Sequence, residues 1–429
     1  MSTQAARSIL FTHTSPQQGY KLLELPPELA DVLSSSDPPI IELKSPIPSS
    51  LDAGSEAQDP TLRDTVNLCT ATQTYQIRQV QSSNSIHIIR PSNGADDRVQ
   101  LGDINIVVAG EEDAHLDLVD SITTIAKCGS TLELYEPPEG FSAVPYLLRL
   151  LRVFDLVDWE EGDQVLAKLG RGQGSSATAA ATTVIVGGGT TYDMEQGVVR
   201  AVMRDVPVCG ALCERGWVDM CAFVVGGRAG DEGGDWCRRP TAGVRLAVWK
   251  RVVEGAVLQG IDLEKQFLVS DLWRSLLDDG DDGVEPFPRP LFEAVVRRVC
   301  EAGDRAGLGR LFREYEMKWT SIDKDSCVRW VGEMYLEAMA PSADAALRRS
   351  DYLSAWKDHL PEAWREEVAF TKLQDGSYKY PDPTTICFVN EADRQKLKKN
   401  VSTDASAATA AKKTRNWHEL FKNQKRQKR

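Results

Sequence analysis

The chain has 429 residues, with 50 Lys and Arg against 63 Asp and Glu, a formal net charge of −13 and 42% hydrophobic residues. That length predicts two to four domains, and with no apolar run of about eighteen residues no membrane-spanning helix is expected. The N-terminus lacks a continuous apolar stretch ahead of a cleavage site, which points away from secretion, and nine cysteines without a repeating framework suit a reducing compartment.

The charge is uneven. Residues 391–429 carry twelve Lys and Arg and four Asp and Glu, a net of +8, which leaves −21 on residues 1–390. Phosphate neutralisation supplies most of the affinity for duplex DNA, so the acidic body is a poor DNA binder by itself and the basic tail a better one.

In chain order, Tyr20–Leu33 reads as a strand and a short helix. Pro26-Pro27-Glu28 suits a helix start, where Pro costs no hydrogen bond and an acid meets the positive end of the dipole. Ile40, Ile41 and Leu43 suggest a strand, and Pro46–Thr61 a loop rich in Ser, Pro, Asp and Gly. Thr65–Thr70, Thr74–Val80 and Ile86–Arg90 alternate apolar and polar residues rich in Val, Ile, Thr and Tyr, as half-buried strands do. The links Ala71-Thr72-Gln73 and Gln81-Ser82-Ser83-Asn84-Ser85 are short and polar, so the expectation is a three-stranded meander. Ile104–Ala109 and Thr131–Tyr135 add two strands around Leu116–Ala126, whose pattern fits a helix or a strand.

Ser142–Val157 has leucines at helical spacing and reads as one helix after Pro145. Leu166–Thr183 is rich in Gly, Ala, Ser and Thr and reads as a linker or insertion. From Tyr192 the chain turns helical: Met194–Met203, Cys209–Val225, Arg245–Leu258, Leu291–Ala302 and Ser321–Met339, the last opened by Thr320 as cap, all carry an apolar face. Asp262 and Ser270 are further capping residues. Asp351–Phe370 gives two helical stretches broken at Pro361. Short strands at Phe370–Leu373, Ser377–Tyr380 and Thr385–Val389 follow, with a turn at Asp375-Gly376. Helices followed by a hairpin, two or three times over, is the order of winged-helix domains.

No catalytic signature stands out. The phosphate-loop pattern is absent, and Val184-Ile185-Val186-Gly187-Gly188-Gly189 lacks the Lys-Ser/Thr that would complete one. The five histidines show no metal-binding spacing, and His87 alternates with Ile86 and Ile88 as a strand residue does. Cys209, Cys213, Cys221 and Cys237 are spaced too irregularly for a zinc site. In Asp278–Gly283 a glycine stands where a calcium loop needs its third-position carboxylate. The reading is a non-enzyme without cofactor or metal.

Candidate contact residues are of three kinds. Tyr75, Ile77, Ile86 and Ile88 are candidate partner contacts of the β region. Residues 192–260 balance nine Lys and Arg against nine Asp and Glu, neutral in an acidic chain, and there Arg215, Arg228, Arg238 and Arg239 are candidates for DNA contact on a helix and wing. Lys425, Arg426, Lys428 and Arg429 suit nuclear import or phosphate contact. Trp417, Leu420 and Phe421, at helical spacing, could dock on a partner.

Three stretches, Tyr20–Leu29 (YKLLELPPEL), Leu68–Pro91 (LCTATQTYQIRQVQSSNSIHIIRP) and Cys128–Leu134 (CGSTLEL), resemble in order and spacing the Dcc-type sister chromatid cohesion proteins. LWRSLLDDG, the Lys318-Trp319-Thr320 region and DGSYKYPDPTTICFV resemble later parts of the same family more loosely. The resemblance implies a non-catalytic subunit of an alternative, cohesion-specific clamp loader at replication forks, in a heterotrimer with the large and small cohesion-specific subunits. It further implies contact with the catalytic subunit of DNA polymerase epsilon, weak binding of single- or double-stranded DNA, and a chromatin-associated, nuclear location. The expected architecture is α+β. Residues 1–140 form an antiparallel β region completed as a barrel by partners, and 141–191 a helical linker and insertion. Winged helices at 192–243, 244–310 and 311–390 follow, and 391–429 is a basic disordered tail. A nuclear winged-helix scaffold of a transcription or ubiquitin-ligase assembly is the alternative.

Overall fold

The computed structural model describes residues 10–13, 19–45, 66–92, 121–138, 140–156, 191–225, 236–277, 285–300, 318–390 and 394. Ile104–Ala109, Leu166–Thr183, Val184–Gly189, the Asp278–Gly283 turn and the basic tail beyond 394 lie outside them. The chain divides into two compact units, residues 1–141 and 142–429.

The first unit is one sheet with one helix on it. Its elements are β1 (Leu10–His13), β2 (Leu22–Glu24), α1 (Pro27–Leu33), β3 (Glu42–Lys44), β4 (Asn67–Cys69), β5 (Thr74–Ser92) and β6 (Ser121–Tyr135). The order is β1-β6-β5-β4-β3, and β2 shares the outer edge of β6 with β1, both running parallel to it. The sheet does not close on itself among the described residues. Pro27 opens α1 as its sequence predicts, and the Ala30 amide donates to the Pro26 carbonyl at 2.9 Å. The turn at 70–73 is also as predicted. Thr70 Oγ1 accepts from the amides of Thr72 (3.3 Å) and Gln73 (3.0 Å), so the hydroxyl does the work a backbone carbonyl does in an ordinary turn.

The expected three-strand meander is corrected in one respect. Gln81–Ser85 is not a hairpin loop, because β5 runs through it as one 19-residue strand against β6. The register places Gln81 opposite Ser130 and Ile86 opposite Cys128, five steps against two, so three extra residues bulge out. The physical reason is in the residues. Ser and Asn are turn formers, but this link has no glycine to take the left-handed conformations that tight hairpins demand, and a bulge absorbs the surplus without reversing the chain.

The second unit repeats one arrangement three times. The first repeat runs α2 (Val144–Leu150), β7 (Arg152–Phe154), α3 (Thr191–Arg204), α4 (Gly210–Asp219), β8 (Phe223–Val224) and β9 (Cys237–Pro240), with sheet order β7-β9-β8. The second runs α5 (Ala242–Gln259), β10 (Phe267–Leu268), α6 (Val269–Leu277), α7 (Arg289–Val299) and β11 (Trp319–Thr320). Here β10 pairs with β11, and Cys300 bridges to Ile322. The third runs α8 (Lys324–Met339), β12 (Leu347–Arg348), α9 (Arg349–Asp358), two 3-10 segments (Glu362–Glu367 and Phe370–Lys372), β13 (Tyr378–Lys379) and β14 (Thr385–Phe388). Its sheet order is β12-β14-β13. The first and third repeats share a helix, a short strand, further helical segments and a hairpin whose second strand lies centrally, and the second follows the same order with β11 against β10 and a single bridge at Cys300.

These pairings move the expected boundaries. The run 142–157 is not one helix, since it breaks after Leu150 into a strand that joins the sheet of the first repeat. That repeat therefore begins at Val144, inside the expected linker 141–191, and not at 192. The second repeat reaches Ile322, past residue 310, because β11 returns to β10. Thr320 lies in β11, and the cap of α8 is Asp323, whose Oδ1 accepts from the Ser326 amide at 3.2 Å. Phe370–Lys372 is a 3-10 turn and not a strand, whereas the turn at Gly376 is present with φ 79°.

One hydrophobic core serves the three repeats. It runs from Phe154 and Phe223 through Trp249, Trp273 and Phe292 to Trp330, Tyr352, Trp356 and Ile386. Trp249 Nε1 donates to the His359 carbonyl at 2.9 Å, and Trp249 and Trp330 meet edge to face at 6.2 Å, so the second and third repeats interlock.

Candidate partner-binding surfaces

Among the described residues of the first unit, the hydrophobic cluster is small. Leu29 of α1, Leu68 of β4 and Tyr75 of β5 form it, with Leu25, Leu33, Ile77 and Leu134 packed alongside. Leu68 and Tyr75 face each other in register, and α1 covers that end of the sheet. The Tyr75 hydroxyl donates to Gln73 Oε1 at 2.8 Å, and burial, then the charges of Glu136 and Glu28, push its pKa above the usual value. Tyr75 and Ile77, candidates for partner contact on the sequence, therefore serve the unit's own core.

The far half of β5 is different. Ile86 and Ile89 are 45% and 48% exposed, Val80 is exposed, and Ile88 is half-buried. Ile86 thus lies where a partner could reach it. Val80 and Ile89 join it, and alternation alone missed Ile89 because the register shifts again between Ile88 and Ile89. Beyond the pairing with β4 at residues 74–76, β6 is the one strand paired with β5 among the described residues. At the other end, β3 carries Leu43 at 68% exposure, next to Ile40 and Ile41, also exposed. Where β5 and β6 do pair, they are well tied. Arg78 Nη2 meets Glu133 Oε2 at 2.7 Å directly across the strands, and its guanidinium lies 5.7 Å from the Tyr135 ring centre. Open strand edges with apolar residues invite another chain to add strands.

Residues 20–399 match the family model described as sister chromatid cohesion protein Dcc1. The chain belongs to that family. No curated protein matches it. The matched span takes in most of both units, and membership gives the chain a role in sister chromatid cohesion. Lys425, Arg426, Lys428 and Arg429 lie outside both the matched span and the described residues, and Arg228 also lies outside the described residues.

The remaining arginine candidates do not form one patch. Arg215 is exposed on α4. Arg238 and Arg239 are neighbours on β9, so their side chains leave opposite faces of the sheet. Arg238 stands between Arg152 of β7 and Phe223 of β8. Arg239 holds the fold together. Its Nε donates to the Leu151 carbonyl at 3.3 Å, and burial lowers its pKa while Glu337 opposes that and Arg245 adds to it. Arg245 Nη2 pairs with Glu337 Oε2 at 2.8 Å. A guanidinium so engaged is not spare for a phosphate.

The cysteines behave as small apolar residues. Burial pushes the Cys221 thiol up to about 11 and the Cys237 thiol up to about 12, which favours the protonated form and not the thiolate a metal would need. Among the described residues no three His, Cys, Asp or Glu side chains gather as a metal site, and no helix is long and apolar enough to cross a membrane.

Proposed function

We propose that this cohesion-family protein is a non-catalytic subunit of a cohesion-specific clamp loader. Its first unit would bind the large and small cohesion-specific subunits, and its second would reach the catalytic subunit of DNA polymerase epsilon and DNA. The observation that carries the reading is the first unit's own poverty of core. Among the described residues, the hydrophobic cluster of Leu29, Leu68 and Tyr75 under one seven-residue helix, with Cys69, Ala126 and Cys128 buried elsewhere, does not cover a six-stranded sheet, and a sheet needs a covered face to be stable. Strands from partners at the β5 and β3 edges would cover that face and complete a barrel.

In the second unit the recurring order of helix, short strand, helical segments and returning strand supports three winged helices. Such domains dock on DNA or protein through a helix and a wing. The mechanism is tethering. Two weak attachments on one chain raise the effective concentration of the loader at the fork and require no new chemistry. Action at chromatin, in the nucleus, follows from the same reading.

The test is expression of residues 1–141 alone and together with the two cohesion-specific subunits. The fragment alone should aggregate or unfold, and co-expression should yield a soluble heterotrimer. A fragment that is monomeric and cooperatively folded by itself would sink the proposal.

A further inference from the structure

The helix over the first unit's buried cluster ends on a hydroxyl with an acid behind it. α1 brings Leu29 onto Leu68 and Tyr75, with Leu33 packed alongside. Seven residues are too few for a helix to hold by propensity alone, so what closes its ends matters. Two serines close its last carbonyls. Ser34 Oγ donates to the Ala30 carbonyl at 2.8 Å, and Ser35 Oγ donates to the Val32 carbonyl at 2.7 Å. Ser34 is the C-cap residue, and the last turn of α1 holds no basic residue.

After α1 comes Ser34-Ser35-Ser36-Asp37-Pro38, exposed throughout and outside any helix or strand. Asp37 stands three residues after Ser34, and Asp31 one turn before it on the helix. Among the described residues, Ser34 is the one exposed Ser or Thr with a carboxylate at the third position after it. That is the pattern an acidophilic kinase selects, its basic substrate groove attracting the downstream acid. In the transfer, Ser34 Oγ bonds to the γ-phosphorus of ATP as the bond from that phosphorus to ADP breaks, and the hydroxyl proton passes to the kinase's base. Two things then change at the helix end. Oγ, now an ester oxygen, has no proton to give the Ala30 carbonyl. A charge near −2 arrives at the negative end of the helix dipole, beside Asp31 and Asp37, and residues 26–41 offer it no Lys or Arg. A phosphate so placed disrupts a helix end.

We propose that Ser34 is a phosphorylation site for an acidophilic protein kinase, and that the phosphate loosens α1 from Leu68 and Tyr75 and so weakens the first unit's assembly with its partners. The regulatory half rests on the proposed assembly with the cohesion-specific subunits. The site itself, and its effect on α1, do not.

The experiment treats the full chain with ATP and an acidophilic casein kinase and maps the modified residues by mass spectrometry. Ser34 should be phosphorylated, and Asp37→Lys should slow incorporation there about tenfold, the loss of one attracting charge and the gain of a repelling one. Amide hydrogen exchange then compares the two forms. The amides of Ala30 to Ser34 should exchange about tenfold faster with the phosphate, the lost cap bond and the like-charge repulsion each contributing a few-fold. The difference should narrow in about 1 M salt, where the Debye length is about 3 Å. Ser34→Ala loses the cap bond without gaining charge, so its exchange should rise only a few-fold and without that salt dependence. Mixed with the two cohesion-specific subunits, the phosphorylated chain should assemble about tenfold more weakly than the unmodified one, and a phosphatase should restore it. Phosphate found only at other residues, indifference to Asp37→Lys, or exchange of α1 unchanged by the phosphate would overturn the proposal. Equal assembly of both forms would overturn its regulatory half and leave the tethering reading standing. Assembly of neither form would sink the tethering reading, and the mapping and the exchange would still settle Ser34.

Discussion

Replacing Gly332 by alanine probes how the third repeat is locked. Gly332 lies in α8, and a Cβ built there would stand 2.5 Å from Cε2, 2.6 Å from Cζ2 and 2.9 Å from Cδ2 of Trp356. Carbon atoms sit comfortably at about 3.5–4.0 Å, so the methyl would penetrate the indole by about 1 Å. The ring cannot slide away freely. Trp356 is fully buried, and its Nε1 donates to the Val328 carbonyl one turn back at 2.8 Å. Forcing the ring off costs about 1–3 kcal/mol for overpacking and about 1–3 kcal/mol for a buried donor left unsatisfied. The better helix propensity of alanine returns about 1 kcal/mol. The expected net loss is about 1–5 kcal/mol. Urea unfolding followed by tryptophan fluorescence reads it as a lower midpoint at unchanged slope. Gly197→Ala, at an exposed position in α3 with nothing near the added carbon, should raise the midpoint slightly. On a Trp356→Leu background Gly332→Ala should cost little, since the clash has gone. A Gly332→Ala protein as stable as the parent would refute the reasoning.

Cys221 has φ 52° at the end of α4, where the Ala222 amide donates to the Trp217 carbonyl at 3.0 Å, the backbone pattern that normally selects glycine. Cys221→Gly should stay within about 1 kcal/mol of the parent, relief of strain offsetting the lost buried side chain, whereas Cys221→Val should lose more than about 2 kcal/mol; equal thermal midpoints for the two would contradict this. Glu337→Gln should destabilise more than Arg245→Met, by about 2 kcal/mol against about 1, because the side chain of Arg245 is 12% exposed and that of Glu337 38%, so loss of the acid strands the more buried charge beside Arg239; chemical denaturation giving the reverse order would be fatal to that argument. The Asp382 carboxylate accepts from the hydroxyls of Thr384 and Thr385, which, with their amides, hold its pKa at about 2 against the ordinary 3.8. A depressed carboxylate contributes order above the ordinary value and loses it as pH falls from about 4 toward 2, so the amide signals of Thr384 and Thr385 should move together with a midpoint near 2 in an NMR titration. A midpoint at 3.8 or above would show that the carboxylate is not held by this turn.

Elements were legible where a single residue carries the signal. Pro27 opens α1, Thr70 folds the first turn, and Gly376 marks the turn in the last hairpin. The family was legible too, because the stretches that carry it lie in strands whose side chains are fixed by neighbours across the sheet, such as Leu68 opposite Tyr75. What failed were inferences that depend on a distant partner. The polar run 81–85 looks like a loop until β6 is known to run past it. The leucines of 142–157 look like one helical face, yet β9 recruits Arg152–Phe154 into a sheet from more than 80 residues away. Arg239 looks like any surface cation, and only the Leu151 carbonyl and Glu337 make it structural. Local sequence contains the propensity but not the neighbour that overrides it.

The two units also differ in what holds them. In the second, Trp364 Nε1 donates to Glu264, Trp249 to His359, and Arg245 pairs with Glu337, so the second and third repeats are cross-linked at three places over a shared core. Such repeats move together, because separating them would expose wholly buried tryptophans at several kcal/mol each. A rigid body of this kind keeps a fixed distance between whatever its ends contact. Among its described residues the first unit has only the small cluster around Leu29, Leu68 and Tyr75. Its exposed Ile86, Ile89 and Leu43 gain stability only when something covers them. The second unit is thus built to hold its own shape, and on the proposed reading the first would acquire its shape from an assembly.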